Sequence, residues 1–111
     1  MTEDLTTPRG VAERRDHLVI LDVREPAEWE AGRVEGSIHV PLNDLMAGAM
    51  PDLDDELPIV AVCSVGGRSQ VAALLLQARG YEAHNLEGGL RRWVAEGLPL
   101  TTPAGAPGRV A

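Results

Sequence analysis

The stretch Pro58-Ile59-Val60-Ala61-Val62-Cys63 constrains this chain more than any other. A strand with one wet face alternates apolar and polar residues. This one is apolar from Ile59 to Cys63, so both of its faces are covered. Such strands belong to parallel sheets whose connections are helices packed on either face. The rest of the chain repeats the theme. Residues 18–21, Leu-Val-Ile-Leu, run into Asp22-Val23-Arg24; residues 37–40 form a shorter strand closed by Pro41, and residues 81–86 a fourth. Helical stretches lie between them: 25–31 with Pro26 early and Gly32 at its end, a weak one over 42–50, 69–79 closed by Gly80, and 90–96 before Gly97 and Pro99. The expectation is an α/β domain with a mostly parallel central sheet and helices on both faces. Residues 1–17 read as an N-terminal segment with a short helix around 8–15. Residues 18–100 form the domain, and 101–111, with two Pro and two Gly, a flexible C-terminal tail.

Charge and composition remove several classes. Seventeen acidic residues against ten basic ones give a formal net charge of −7, which repels a phosphate backbone on average. All ten bases are Arg, scattered apart from Arg14-Arg15 and Arg91-Arg92, so no nucleic-acid partner is expected. No apolar run approaches the roughly 20 residues of a membrane span. The start Met-Thr-Glu-Asp-Leu carries acids where a signal peptide carries bases. A cytoplasmic protein with no membrane partner is expected, with a monomer as the default. The single cysteine, Cys63, leaves no internal disulfide, and His17, His39 and His84 are not spaced as metal ligands. Neither a metal nor an organic cofactor is expected.

A lone cysteine is most often a small buried hydrophobe. Cys63, however, ends the strongest strand, and ligands of parallel sheets bind beyond the C-terminal strand ends. It opens the loop Cys63-Ser64-Val65-Gly66-Gly67-Arg68-Ser69, which leads into an Ala- and Leu-rich helix. The two glycines let the backbone wrap with its N–H groups turned toward the sulfur. The helix N-terminus and Arg68 add positive potential, and each contribution favours thiolate over thiol. Spacing separates the kinds of cysteine nucleophile. Cysteine-dependent phosphatases look like His-Cys, five residues, then Arg; here four residues separate Cys63 from Arg68, and Val62 precedes the cysteine. A tighter ring of amides suits a persulfide, Cys–S–SH. A resolving cysteine is missing for redox exchange, and nothing in the sequence positions a histidine as a base.

Three stretches together resemble a single-domain rhodanese, a family of sulfurtransferases. The first is Leu21-Asp22-Val23-Arg24-Glu25, through Glu28-Trp29 and Gly32, to Glu35-Gly36-Ser37-Ile38-His39-Val40-Pro41-Leu42. The second is the loop from Cys63 to Ser69, similar to the family's Cys-x-x-Gly-x-Arg-Ser. The third is Gly80-Tyr81, then Leu86-Glu87-Gly88-Gly89-Leu90, Trp93, Gly97 and Pro99. The resemblance implies a rhodanese-like fold with Cys63 as the acceptor of sulfane sulfur. The amides of Ser64, Val65, Gly66, Gly67, Arg68 and Ser69 would cradle it, with Arg68 as a substrate anchor. Asp22 and Arg24 would brace the site; a solvated Asp22 beside a surface pair of Arg24 with Glu25 or Glu28 is the alternative. Gly88, Gly89 and Trp93 read as structural and Trp29 as core packing. Many thiosulfate-using members carry a basic residue where this chain has Ser64, and Val65 is apolar, so thiosulfate is expected to be a poor donor. Gly32-Arg33-Val34 stands where the family has Gly-His-Ile, with little consequence for Cys63.

The resemblance implies a two-step, covalent transfer from a small sulfane donor or a protein persulfide to a thiol, a protein or cyanide. Two rivals remain. One is a sulfur-carrier or docking module with little small-molecule turnover; the other is a phosphatase or arsenate reductase built on the same Cys–Arg loop.

Overall fold

Neighbouring residues of the strands point to opposite sides of one sheet, and both sides are packed. The computed structural model describes residues 4–111. In chain order it contains α1 (Pro8–Glu13), a 3-10 turn (Arg15–His17), β1 (Val19–Asp22), α2 (Pro26–Ala31), β2 (Ile38–His39), α3 (Leu42–Met46), β3 (Ile59–Val62), α4 (Gly67–Ala78), β4 (Ala83–Asn85) and α5 (Gly89–Ala95). The strands lie in the order β2-β1-β3-β4, and every pairing is parallel. Ile20, Val60 and Val62 face one core with Val11 of α1 and Leu90 and Trp93 of α5. Leu21, Ile59 and Ala61 face the other with Leu45 of α3 and Ala72, Ala73 and Leu76 of α4. This period of two explains the unbroken apolar run of β3, which is buried at all four positions. The fold is the expected mixed α/β domain.

The boundaries differ where the loop chemistry demands it. The helix expected from Ser69 begins at Gly67, because Gly66 takes a left-handed conformation (φ 104°) as its N-cap. The loop after Cys63 is therefore shorter than the sequence reading, and the first turn of α4 lies against the cysteine. α1 is not an appendage. Thr7 Oγ1 accepts from Gly10 N–H at 3.2 Å, Leu5 and Val11 enter the first core, and Glu87 N–H donates to Thr6 O at 2.8 Å. Segment 1–17 thus shares the domain's core from residue 4 onward; residues 1–3 lie outside the described residues.

The tail expected to be flexible is hydrogen-bonded back onto the domain. Thr101 bridges both Arg33 and Pro107, Gly108 N–H donates to Leu100 O at 2.8 Å, and Arg109 N–H donates to Ala31 O at 3.0 Å. The reason is a glycine crossing: a Cβ on Gly108 would stand 2.6 Å from Gly32 Cα, so only two glycines allow the segment to lie this close. Val110 then packs on the first core. Among the described residues no helix is long and apolar enough to cross a membrane.

Candidate active site

Cys63 follows β3 at the C-terminal edge of the sheet and is fully buried. Its Sγ accepts from Gly66 N–H at 3.1 Å, Ser69 N–H at 3.4 Å and Ser69 Oγ–H at 3.3 Å. Burial acts most strongly on the thiol and pushes its pKa up. The opposing donors, Ser69 Oγ–H and the N–H groups of Ser69, Gly66 and Val65, outweigh it together, and the net pKa falls below the ordinary thiol value.

α5 fixes the first two peptides of the loop. Leu90 N–H donates to Cys63 O at 2.8 Å and Arg91 N–H to Ser64 O at 3.0 Å. The C=O and N–H of a trans peptide point opposite ways, so anchoring Ser64 O on α5 turns Val65 N–H toward the loop's interior. This contact requires Gly89, where a Cβ would stand 2.4 Å from Ser64 O on a residue already at φ 64°. Gly88-Gly89 is therefore structural, yet it shapes the cradle directly. Of the two loop glycines, Gly66 needs its left-handed φ, whereas a Cβ on Gly67 would meet nothing within 4 Å. Val65 is 63% exposed and, with exposed Gly67, forms the outer rim.

Asn85, which the sequence reading passed over, ties the loop's two ends together. Its Nδ2–H donates to Gly66 O at 3.1 Å, and its Oδ1 lies 2.5 Å from Ser69 Oγ. A hydroxyl carries one proton, so Ser69 cannot donate to Asn85 and to Sγ at once. Asn85 Oδ1 at 2.5 Å is the nearer acceptor, and Sγ at 3.3 Å is the alternative. The pairing of Ala61 with Asn85 places this residue at the same sheet edge as Cys63.

Glu28, read as part of a motif and as an alternative surface partner of Arg24, is the other residue whose place at the loop was missed. Its carboxylate receives Arg68 Nη1–H at 2.6 Å, Arg68 Nη2–H at 2.8 Å and Ser64 Oγ–H at 3.0 Å. The Arg68 guanidinium holds the Glu28 carboxyl down to about 2, and Glu28 raises Arg68 in return. Arg68 is also held in its charged form by Cys63. Glu28 additionally accepts from Glu25 N–H at 3.0 Å in a capping box at the start of α2.

Asp22 and Arg24 are both fully buried and pair with each other rather than with Glu25 or Glu28. Arg24 Nε–H reaches both Asp22 oxygens at 3.0 and 3.1 Å, and Nη2–H reaches Oδ2 at 2.8 Å and Gly32 O at 2.6 Å. The pair clamps the end of β1 to the end of α2, so the surface-pair alternative does not occur. Arg24 Nη1 is buried without a hydrogen-bond partner among the described residues. Trp29 is not core. α2 buries none of its residues, and Trp29 stacks on the His39 ring, 4.6 Å away and 8° from parallel, with the Arg33 guanidinium 4.3 Å over its own ring. His39 Nε2–H donates to Arg24 O at 2.8 Å, and His84 pairs with Glu82. Neither contact serves Cys63. Among the described residues no three His, Cys, Asp or Glu side chains converge on a point that could hold a metal.

A strand-end cysteine with two amide N–H groups on its sulfur, and an arginine at the loop's rim, sits at the C-terminal edge of a parallel α/β sheet. The profile of the Rhodanese-like domain family matches residues 7–96, and the chain belongs to that family. It is 31% identical over 91 residues to a protein of Allochromatium vinosum described as a sulfurtransferase, covering 81% of this chain and 84% of that one. Over 96 residues it is 32% identical to the thiosulfate sulfurtransferase GlpE of Pseudomonas syringae, covering 84% and 90% of the two chains. The crystal structure of a rhodanese-related protein from Thermoplasma volcanium superposes with a TM-score of 0.80 at 29% identity, covering 86% of this chain and 94% of that one.

Proposed function

We propose that this protein is a sulfurtransferase that carries sulfane sulfur on Cys63 as a persulfide. The observation that carries the reading is the set of N–H and O–H donors from Gly66 and Ser69 around Sγ. The sulfurtransferase names of its relatives support it. In the first step the Cys63 thiolate attacks the outer sulfur of the donor. The new S–S bond forms as the donor's bond breaks, and the electron pair leaves with the donor's remainder, sulfite in the case of thiosulfate. In the second step a thiolate or cyanide attacks the outer sulfur of the persulfide and restores the Cys63 thiolate. No outside oxidant or reductant is consumed. The same donors that stabilise the thiolate hold the persulfide anion, so loading moves no charge into an unprepared environment.

The partners of this reading are a small sulfur donor, or a protein persulfide, and a thiol, protein or cyanide acceptor. Initial rates of thiocyanate formation test it, with donor and cyanide varied against each other. Parallel double-reciprocal lines, and no turnover by C63S, are the expected result. Intersecting lines, or turnover by C63S, would contradict a persulfide on Cys63.

A further inference from the structure

The cation nearest the candidate site is already occupied by a group of this chain. Both terminal nitrogens of Arg68 donate to Glu28, at 2.6 and 2.8 Å, in the two-pronged geometry that a guanidinium offers to any planar or tetrahedral anion. Ser64 Oγ–H, the one side-chain donor immediately after Cys63, is also turned onto Glu28 at 3.0 Å. The carboxylate therefore takes up the donors that an anionic group on a sulfur donor would seek. An arriving dianion must displace Glu28 from Arg68 or approach a pair whose charges cancel beside a thiolate, on a chain of net charge −7. The arrangement is built, because Glu28 is fixed from behind by the Glu25 N–H of the capping box.

We propose that Glu28 is the donor-selecting residue of this site. Its carboxylate stands in for the donor's anionic group on Arg68 and Ser64, and so favours sulfane sulfur on a carbon-bound group of low charge, an organic persulfide or thiosulfonate, over dianionic thiosulfate. The inference rests on the sulfurtransferase reading above. With an organic persulfide, R–S–SH, the Cys63 thiolate takes the outer sulfur to give Cys63–S–SH, and the electron pair of the broken bond leaves as R–S⁻. With methanethiosulfonate the pair leaves as methanesulfinate.

The test compares thiosulfate, a dianion, with methanethiosulfonate, a monoanion, using cyanide as acceptor for both. Glu28→Gln removes the charge while keeping an acceptor for the capping box and for Ser64; Glu28→Ala removes both and serves as the second variant. In each variant kcat/KM for thiosulfate is expected to rise roughly tenfold, chiefly through a lower KM, as one like charge is removed from the approach. The value for methanethiosulfonate should rise by clearly less. If wild type transfers sulfur but both folded variants change the two donors equally, or lose thiosulfate activity, the role of Glu28 is overturned and the sulfurtransferase reading stands. If wild type transfers sulfur from neither donor, that reading falls and this inference with it.

Discussion

Two carboxylate–guanidinium pairs, whose acids Asp22 and Glu28 lie six positions apart in the sequence, do opposite jobs. Asp22–Arg24 is closed: both side chains are fully buried, and the guanidinium is also fastened to Gly32 O. Glu28–Arg68 is open: Arg68 is 37% and Glu28 20% exposed, and their shared edge belongs to the loop around Cys63. A buried pair cannot exchange partners without stranding a charge, so it serves as a clamp. A half-exposed pair is worth little to stability and can be exchanged for a ligand, so it serves as a contact point. Similar chemistry, placed at different depths, yields a fastener in one case and a selector in the other.

The largest effect expected from this contrast is on folding. Asp22→Asn leaves Arg24 charged in the interior and should lower unfolding stability by about 3–5 kcal/mol, read by denaturant titration. A loss below about 1 kcal/mol would mean that the interior tolerates the lone charge and that the clamp is not one. Gly89→Ala should come next. Its Cβ meets Ser64 O at 2.4 Å, and overpacking of this kind costs about 1–3 kcal/mol. It also turns the Val65 amide away from sulfur, so persulfide loading should fall further than stability does. Gly67→Ala, with nothing within 4 Å of the added carbon, is the matched control and should shift stability by no more than about 1 kcal/mol. Comparable losses from the two substitutions would contradict the α5 anchoring.

Glu28→Gln should change stability by less than about 1 kcal/mol, in contrast to Asp22→Asn. Its pH behaviour follows from the depressed carboxyl. The contribution of the pair is complete above the ordinary glutamate range and is lost only as pH falls through about 2. Donor preference should therefore hold constant from about pH 8 down to about pH 5; a drift across that interval would point to a different group. The smallest effect is on Cys63 itself. Ser69→Ala removes the strongest donor opposing burial, so the thiolate's ultraviolet titration should move to higher pH than in wild type. An unchanged midpoint would leave the lowered pKa to the backbone amides.

Much of this architecture is legible from local pattern. The apolar run of β3, the glycines that end elements and the Cys–loop–helix order are one-dimensional signals, and they lead to the parallel sheet and to Cys63. What escapes is pairing between distant positions. Glu28 has a sufficient local use as a capping-box acid, which hides its bond to Arg68 forty positions later. Asn85 looks like a polar strand end; only the register of β3 and β4 brings it beside the loop. Trp29 reads as core because it is large and apolar, yet a six-residue helix that buries nothing leaves it stacked on His39 instead. The 101–111 segment has the composition of a loose end, and its attachment rests on the contact between Gly32 and Gly108 that no local pattern announces.

The central claim is that Cys63 carries the sulfur, and intact mass tests it most directly. Wild type and C63S are exposed to methanethiosulfonate and to thiosulfate in turn, desalted, weighed, treated with cyanide and weighed again. The account predicts a one-sulfur increment on wild type, larger in occupancy with methanethiosulfonate, removed by cyanide and never seen on C63S. An increment that C63S also shows, or none on wild type with any sulfane donor, would contradict it.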